Sequence, residues 1–183
     1  FTERVNDTDE VRLWAVDSGT GGIAQAGYYQ QGQLRVLEAT DEEGALIVEY
    51  KDRQGRVLVR KVQEANTVAG TRQEAGFLVT QYVYDDFGNL RLVIQPEGLR
   101  NLAVAMPLSQ TFIDTWCFYY EYDALQRIVK KQVPGAGAVL IAYNKRDLPV
   151  LTQDAVQRAR NEWSFTKYDA LNRPVMAGRV VIA

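Results

Sequence analysis

The sequence predicts a mainly β fold built of successive antiparallel hairpins, with one or two short helices in insertions. Two observations carry this. A tyrosine-led unit recurs five times, and the residues flanking most units alternate apolar and polar. The leading tyrosines, Tyr50, Tyr84, Tyr122, Tyr143 and Tyr168, are spaced by 34, 38, 21 and 25 residues. The period is irregular while the unit is constant.

Residues 1–44 read as an N-terminal β segment ahead of the repeats, and residues 45–183 as one continuous repeat sheet. Within the first segment, 11–16 and 34–39 have strand character, separated by the loop Ser18-Gly19-Thr20-Gly21-Gly22. In the first unit Leu46, Val48 and Tyr50 share a face, followed by Asp52 and Gly55. Gly55 stands one place later than its counterparts, which implies an insertion or bulge. The second unit is Tyr82-Val83-Tyr84-Asp85-Asp86-Phe87-Gly88-Asn89-Leu90. The third places Phe118, Tyr120 and Tyr122 on one face, then Asp123, Gln126 and Arg127. The fourth does the same with Val139, Ile141 and Tyr143, then Asn144 and Asp147. The fifth is Tyr168-Asp169-Ala170-Leu171-Asn172-Arg173, with Trp163 and Phe165 on the face opposite Tyr168.

Each turn has a chemical rationale. The Asp or Asn after tyrosine accepts from turn amides as an Asx-turn. Gly88, Asp147 and Asn172, four residues past their tyrosines, tolerate the positive φ that a hairpin requires, and Gln126 is the poorest fit. Return strands follow over 56–63, 90–95, 127–133, 148–153 and 173–182; Pro149 and Pro174 fall at strand starts, where a missing N–H is tolerable. Leu99, Leu102, Ala103 and Met106 have helical spacing ended by Pro107. Residues 154–162 predict a second short helix with Asp154 as N-cap and Arg158 one turn on. Residues 70–76 read as a mobile loop.

Composition excludes much chemistry. There are 21 basic and 23 acidic residues, net −2, so no excess of cations exists to displace phosphate counterions and no nucleic-acid partner is expected. The chain has no histidine, which removes His-based triads, bases and ligands. Its one cysteine, Cys117, lies between Trp116 and Phe118 and reads as a buried, inert thiol. No apolar run approaches the roughly 20 residues of a membrane span. The acids Asp9-Glu10, Asp41-Glu42-Glu43 and Asp85-Asp86 read as turn and solvated-loop residues, since nothing places two of them across a cleft for glycosidase work and no calcium loop pattern is present. Gly19-Thr20-Gly21-Gly22 lacks the Lys of a phosphate loop, and Gly135-Ala136-Gly137 precedes a strand, so both are turns. No cofactor, metal or catalytic residue is expected. The opening on Phe1 reads as an excised segment.

Five such units in register resemble the YD repeats of the RHS/YD-repeat family. Tyr82 to Leu90 stands against the family's Y-x-Y-D-x-x-G-R-L, with Tyr120-Glu121-Tyr122-Asp123 and Tyr168 to Arg173 close behind. The resemblance covers roughly residues 45–182, and the stretch from Val79 to Asp169 is similar to RHS proteins of Bacteroidetes. It implies a curved sheet or shell segment, related to the hollow shells of Tc-toxin cocoons and teneurins, in which bacterial members hold a C-terminal toxin. Five units are too few to close a large shell, and the family's self-cleaving segment is not recognisable. The implied function is therefore a non-enzymatic scaffold segment of a secreted or cell-surface parent, with neighbouring repeats and an encapsulated toxin domain as partners.

The alternative function is a carbohydrate- or protein-binding β-module, which needs several of the ten tyrosines on one solvent-facing strip. The scaffold reading instead expects Tyr84, Tyr122 and Tyr143 to be largely buried in cross-strand pairs. It also expects bare terminal edges at 11–16 and 175–182, and hence self-association through strand edges or a terminal strand folded back over them.

Overall fold

The computed structural model describes residues 1–17, 19–64, 76–102 and 107–182. The chain divides into two compact units, Phe1–Phe112 and Ile113–Ala183.

The first unit contains β1 (Thr2–Val5), β2 (Arg12–Val16), β3 (Ile23–Tyr28), β4 (Arg35–Thr40), β5 (Leu46–Lys51), β6 (Val57–Gln63), β7 (Phe77–Tyr84), β8 (Leu90–Ile94) and α1 (Pro96–Arg100). Its main sheet runs β1-β4-β5-β6-β7-β8 with antiparallel neighbours, while β2 and β3 form a separate hairpin. The alternation produces one buried row across five strands. Val36 opposes Tyr50, Tyr50 opposes Val59, Val59 opposes Gln81 and Gln81 opposes Ile94. All five are at most 2% exposed, so the row forms the centre of the core. Gln81 is tolerated there because its Oε1 accepts from the Trp14 indole N–H of β2 at 2.7 Å. That bond also seats the β2–β3 hairpin on this face of the sheet.

Here the N-terminal third departs from expectation. Residues 19–22 lie between β2 and β3, not between β2 and β4. β3 escaped notice because Ile23-Ala24-Gln25-Ala26-Gly27-Tyr28 has little β-branched character and Gly27 sits at φ 123°. β1, with the sequence Thr-Glu-Arg-Val, is short and charged. The first unit's edge is therefore β1 and not residues 11–16, which form β2 in the separate hairpin. Buried Asn6 fastens this edge: its Oδ1 accepts from the Leu34 amide at 2.8 Å and its Nδ2 donates to the Gln30 carbonyl at 3.0 Å. The expected boundary at 44/45 falls within the turn joining β4 to β5.

α1 starts with Pro96, whose missing N–H is unneeded there, and buries Leu99. Ala103, Met106 and residues 70–75 lie outside the described residues. α2 (Gln110–Trp116) then leads into β9 (Cys117–Tyr122), β10 (Ile128–Val133), β11 (Gly137–Tyr143), β12 (Pro149–Gln153), α3 (Ala155–Ala159), β13 (Glu162–Tyr168) and β14 (Pro174–Val181). These strands follow one another in sheet order, each antiparallel to the last.

α2 was not expected from the sequence, and it raises the count of helices among the described residues to three. Its aromatic Phe112 and Trp116 read equally as strand, but Asp114 fixes it in place. The Asp114 carboxylate accepts from Gln132 Nε2 at 2.6 Å and its carbonyl from the Gly135 amide at 2.8 Å. α3 has the expected Asp154 cap, in a capping box with Gln157. It stops at Ala159, where Asn161 turns the chain at φ 54°. Arg158 donates to the Ala138 carbonyl at 2.8 Å, bracing α3 on β11.

Candidate functional site: the tyrosine–aspartate turn ladder

The recurring motif builds a recurring turn. At Asp123 the backbone N–H donates to the Arg127 carbonyl at 3.0 Å, and the Gln126 N–H returns to the Asp123 carbonyl at 2.9 Å. Asp123 Oδ1 accepts from the amides of Leu125 (2.9 Å) and Arg127 (3.0 Å), and Oδ2 accepts from Arg127 Nε at 2.8 Å. The carboxylate thus satisfies the interior of the turn and anchors the first side chain after it. The same pattern recurs at Asp52 with Arg56 and at Asp169 with Arg173. At Asp85 the amide of Asn89 replaces the arginine, and Arg91 Nη1 lies 3.7 Å from the carboxylate. At Asn144 the Oδ1 holds the Arg146 and Leu148 amides.

The residue three after each Asp or Asn has positive φ: Gly55 82°, Gly88 84°, Gln126 60°, Asp147 60° and Asn172 63°. Gln126 takes this conformation although glutamine has no special tolerance for it, because the Asp123 bonds on both sides fix the turn.

Two corrections follow. The first unit carries no insertion in its turn, while the bulge that was the other expectation is present as a shift of register between Tyr50 and Lys51. Its turn has the same bonds counted from Asp52, so Lys51 occupies the slot filled elsewhere by tyrosine and Tyr50 lies one residue upstream. That places Tyr50 on the core face, 1% exposed. A sixth turn of the same design is built on Asp41, with Gly44 at φ 87° and Thr40 in the tyrosine slot. Counting Asp-x-x-Gly rather than tyrosines would have found both.

Tyr84, Tyr122 and Tyr143 are half-buried, not largely buried as expected, and Tyr168 is half-buried as well. In β7 the core face carries Phe77, Val79, Gln81 and Val83, and in β9 it carries Cys117 and Tyr119. Tyr82, Tyr84, Tyr120 and Tyr122 point the other way. Three motif tyrosines join neighbouring hairpins instead. The Tyr84 hydroxyl donates to the Val57 carbonyl at 3.2 Å, Tyr143 to Ile128 at 2.9 Å, and Tyr168 to Pro149 at 3.0 Å. In each case the acceptor is the fifth residue after the preceding turn's Asp or Asn. The anchored arginine lies over the ring: Arg56 4.9 Å from the Tyr84 centroid, Arg127 4.7 Å from that of Tyr143. Arg127 Nη1 also reaches Asp147 of the next turn at 2.6 Å, and Arg146 Nη1 the Asp169 carbonyl at 2.8 Å. The Asp52 and Asp85 hairpins of the first unit, and the Asp123, Asn144 and Asp169 hairpins of the second, are therefore linked in series, like rungs.

Electrostatics follow the same bonds. The Arg127 guanidinium and amide hold Asp123 below the usual carboxylate range, and the Arg173 amide and side chain do so for Asp169. Another cluster was not foreseen. Glu10 accepts from Arg4 Nη2 (2.5 Å), the Tyr50 hydroxyl (2.6 Å) and the Asp7 amide (2.8 Å). Burial pushes its carboxyl up, but these donors outweigh burial and hold it at about 2. Lys61, 3% exposed, lies 5.1 Å from the centre of the Tyr50 ring. This cluster ties the N-terminal segment to β5. Cys117 is fully buried, and burial pushes its thiol up to about 12.

One open groove of about 610 Å³ lies on the second unit, lined by Arg146, Val150, Leu151, Phe165, Lys167 and Tyr168 among others. Among the described residues no group of three or more Cys, Asp or Glu side chains is placed to hold a metal ion, and no helix is long and apolar enough to cross a membrane.

No family model matches the chain, and no curated protein matches it. Solved structures do. A Tc holotoxin pore of Photorhabdus luminescens aligns with TM-score 0.55 at 14% identity over 93% of this chain. A TcdB2-TccC3 crystal structure aligns with TM-score 0.58 at 16% identity over 88%, and TcdB2-TccC3 without its hypervariable C-terminal region with TM-score 0.55 at 15% identity over 97%. The chain spans about 8% of the length of each. The likeness is one of fold, an RHS/YD-like β architecture.

Proposed function

We propose that this chain is a structural scaffold segment of a larger RHS/YD-repeat protein. It contributes a stretch of β-shell wall that, in the parent, encloses or presents a C-terminal toxin-like domain. The observation that carries this reading is the ladder: the side chains of the motif are spent on holding turns and joining neighbouring hairpins. No catalytic role is assigned to any residue. The reading places the parent outside the cell or at its surface, and the sequence between Val79 and Asp169 favours the Bacteroidetes-type branch. The parent gene is expected to encode further Tyr–Asp hairpins followed by an unrelated C-terminal domain.

The groove beside Phe165 and Tyr168 favours a second reading, a glycan- or protein-binding module. The two separate cleanly. The scaffold reading expects Tyr143→Phe and Tyr168→Phe each to lower stability, and a glycan array to give no saturable signal. A micromolar sugar ligand, lost in Phe165→Ala while the fold is retained, would replace it with the second reading.

A further inference from the structure

The groove on the second unit changes character along its length. Leu151, Phe165 and Gly178 stand opposite one another across β12, β13 and β14, and Val180 stands opposite Trp163, two residues further along the same face. Gly178 lets the Phe165 ring lie across β14, because a Cβ there would fall 2.9 Å from Phe165 Cε1. Val150, Leu151, Phe165 and Val180 thus line an apolar trough. At the turn end the lining changes to Asn144, Arg146, Lys167 and Tyr168. Arg146 is brought there by its bond to the Asp169 carbonyl at 2.8 Å, and the Lys167 ammonium lies 5.9 Å from the centre of the Phe165 ring. Both cations are exposed, and no described residue lining the groove is acidic. Asp169, next in sequence to Tyr168, has its carboxylate turned into its own turn by the Leu171 and Arg173 amides and by Arg173 Nε.

We infer that this groove binds a monomeric long-chain carboxylate, its head between Arg146 and Lys167 and its chain running along Leu151 and Phe165 to Val180. From Lys167 to the level of Val180 is four residues of extended strand, about 13 Å, which an extended chain of about twelve carbons spans. The apolar trough accepts the chain, and the two cations, with no acid lining the groove, select a negative head. A sugar suits the trough less well, because its hydroxyls would face Leu151, Phe165 and Val180 without polar partners. The site stands apart from the scaffold reading: it makes no use of the Tyr168 hydroxyl, which stays on the Pro149 carbonyl.

The test uses the full chain and laurate below its micelle concentration, with dodecyltrimethylammonium as a probe of equal chain and opposite charge. Calorimetry at neutral pH should give one saturable laurate site, with NMR amide shifts confined to 144–151, 165–168 and 178–180. Dodecyltrimethylammonium should bind about tenfold more weakly or not at all. Lys167→Gln, whose side chain is exposed, should weaken laurate by about fivefold with Tm unchanged. Lys131→Gln, exposed on β10 away from the groove, should leave laurate binding as it is. Equal affinity for the two probes, equal loss in the two lysine variants, shifts elsewhere on the sheet, or no saturable binding at millimolar laurate overturns the inference. Cosedimentation with phosphatidylglycerol vesicles, weakened by Lys167→Gln and without a laurate site, overturns it in favour of a membrane surface. The scaffold reading has its own readout, the stability of Tyr143→Phe and Tyr168→Phe, which none of these outcomes moves.

Discussion

Replacing Gln126 with glycine should stabilise the third hairpin. Gln126 stands at φ 60° with its side chain exposed, and its N–H donates to the Asp123 carbonyl at 2.9 Å. A non-glycine residue in this region costs about 1–2 kcal/mol. Glycine relieves that and returns about 0.5–1 kcal/mol through the larger freedom of the unfolded chain. The net gain is about 0.5–1 kcal/mol, which for a chain of this length raises Tm by about 2–4 °C per kcal/mol. Asn172, at φ 63°, supplies the comparison. Asparagine tolerates the region, so Asn172→Gly should be close to neutral, and Asn172→Val destabilising by on the order of 1 kcal/mol. Urea and thermal unfolding of the four proteins measures the series. A destabilised Gln126→Gly, or equal stability throughout, would refute the turn geometry.

Three further outcomes are expected. Gly55→Ala meets open space and should cost only backbone strain of about 1 kcal/mol; Gly88→Ala should cost more, because its Cβ falls 3.2 Å from Arg56 Nη1 and disturbs the stack on Tyr84. Glu10, held at about 2 against an ordinary 4.5, is depressed on folding, so its stabilisation is complete above about pH 4.5 and disappears as pH falls through 2. Discounted for solvent screening it is on the order of 2 kcal/mol, and urea titrations should show wild type losing that margin over Glu10→Gln between pH 5 and 2. The Cys117 thiol should not react with a disulfide reagent at pH 8 until urea unfolds the chain, since it is fully buried and pushed up to about 12.

The hairpins were legible in the sequence because their turns depend on local chemistry. An Asp or Asn followed three residues later by Gly, Asn or Asp specifies the bonds that form, Gln126 after Asp123 being the exception, and the return strands begin within a residue of where Pro149 and Pro174 place them. What could not be read depends on distant groups. β3 is held by β2 and by the contact of Trp14 with Gln81, which lie 67 residues apart. α2 is fixed by Gln132 and Gly135 on the hairpin that follows it. The burial of the tyrosines was misjudged because alternation identifies two faces without saying which one meets the core. Anchoring the repeats on tyrosine also hid the Asp41 turn and misplaced Tyr50. The rungs between turns needed the register of neighbouring strands, and no spacing within one unit encodes that.

Coupling between successive turns is tested most directly by a double-mutant cycle of Arg127→Ala and Tyr143→Leu, read by urea unfolding at neutral pH. Arg127 is anchored by Asp123 and lies over the Tyr143 ring, so each single change removes the same contact. The predicted result is non-additivity: the double variant loses clearly less stability than the two single losses together. Strict additivity, with Arg127 and Tyr143 acting independently, would contradict the ladder.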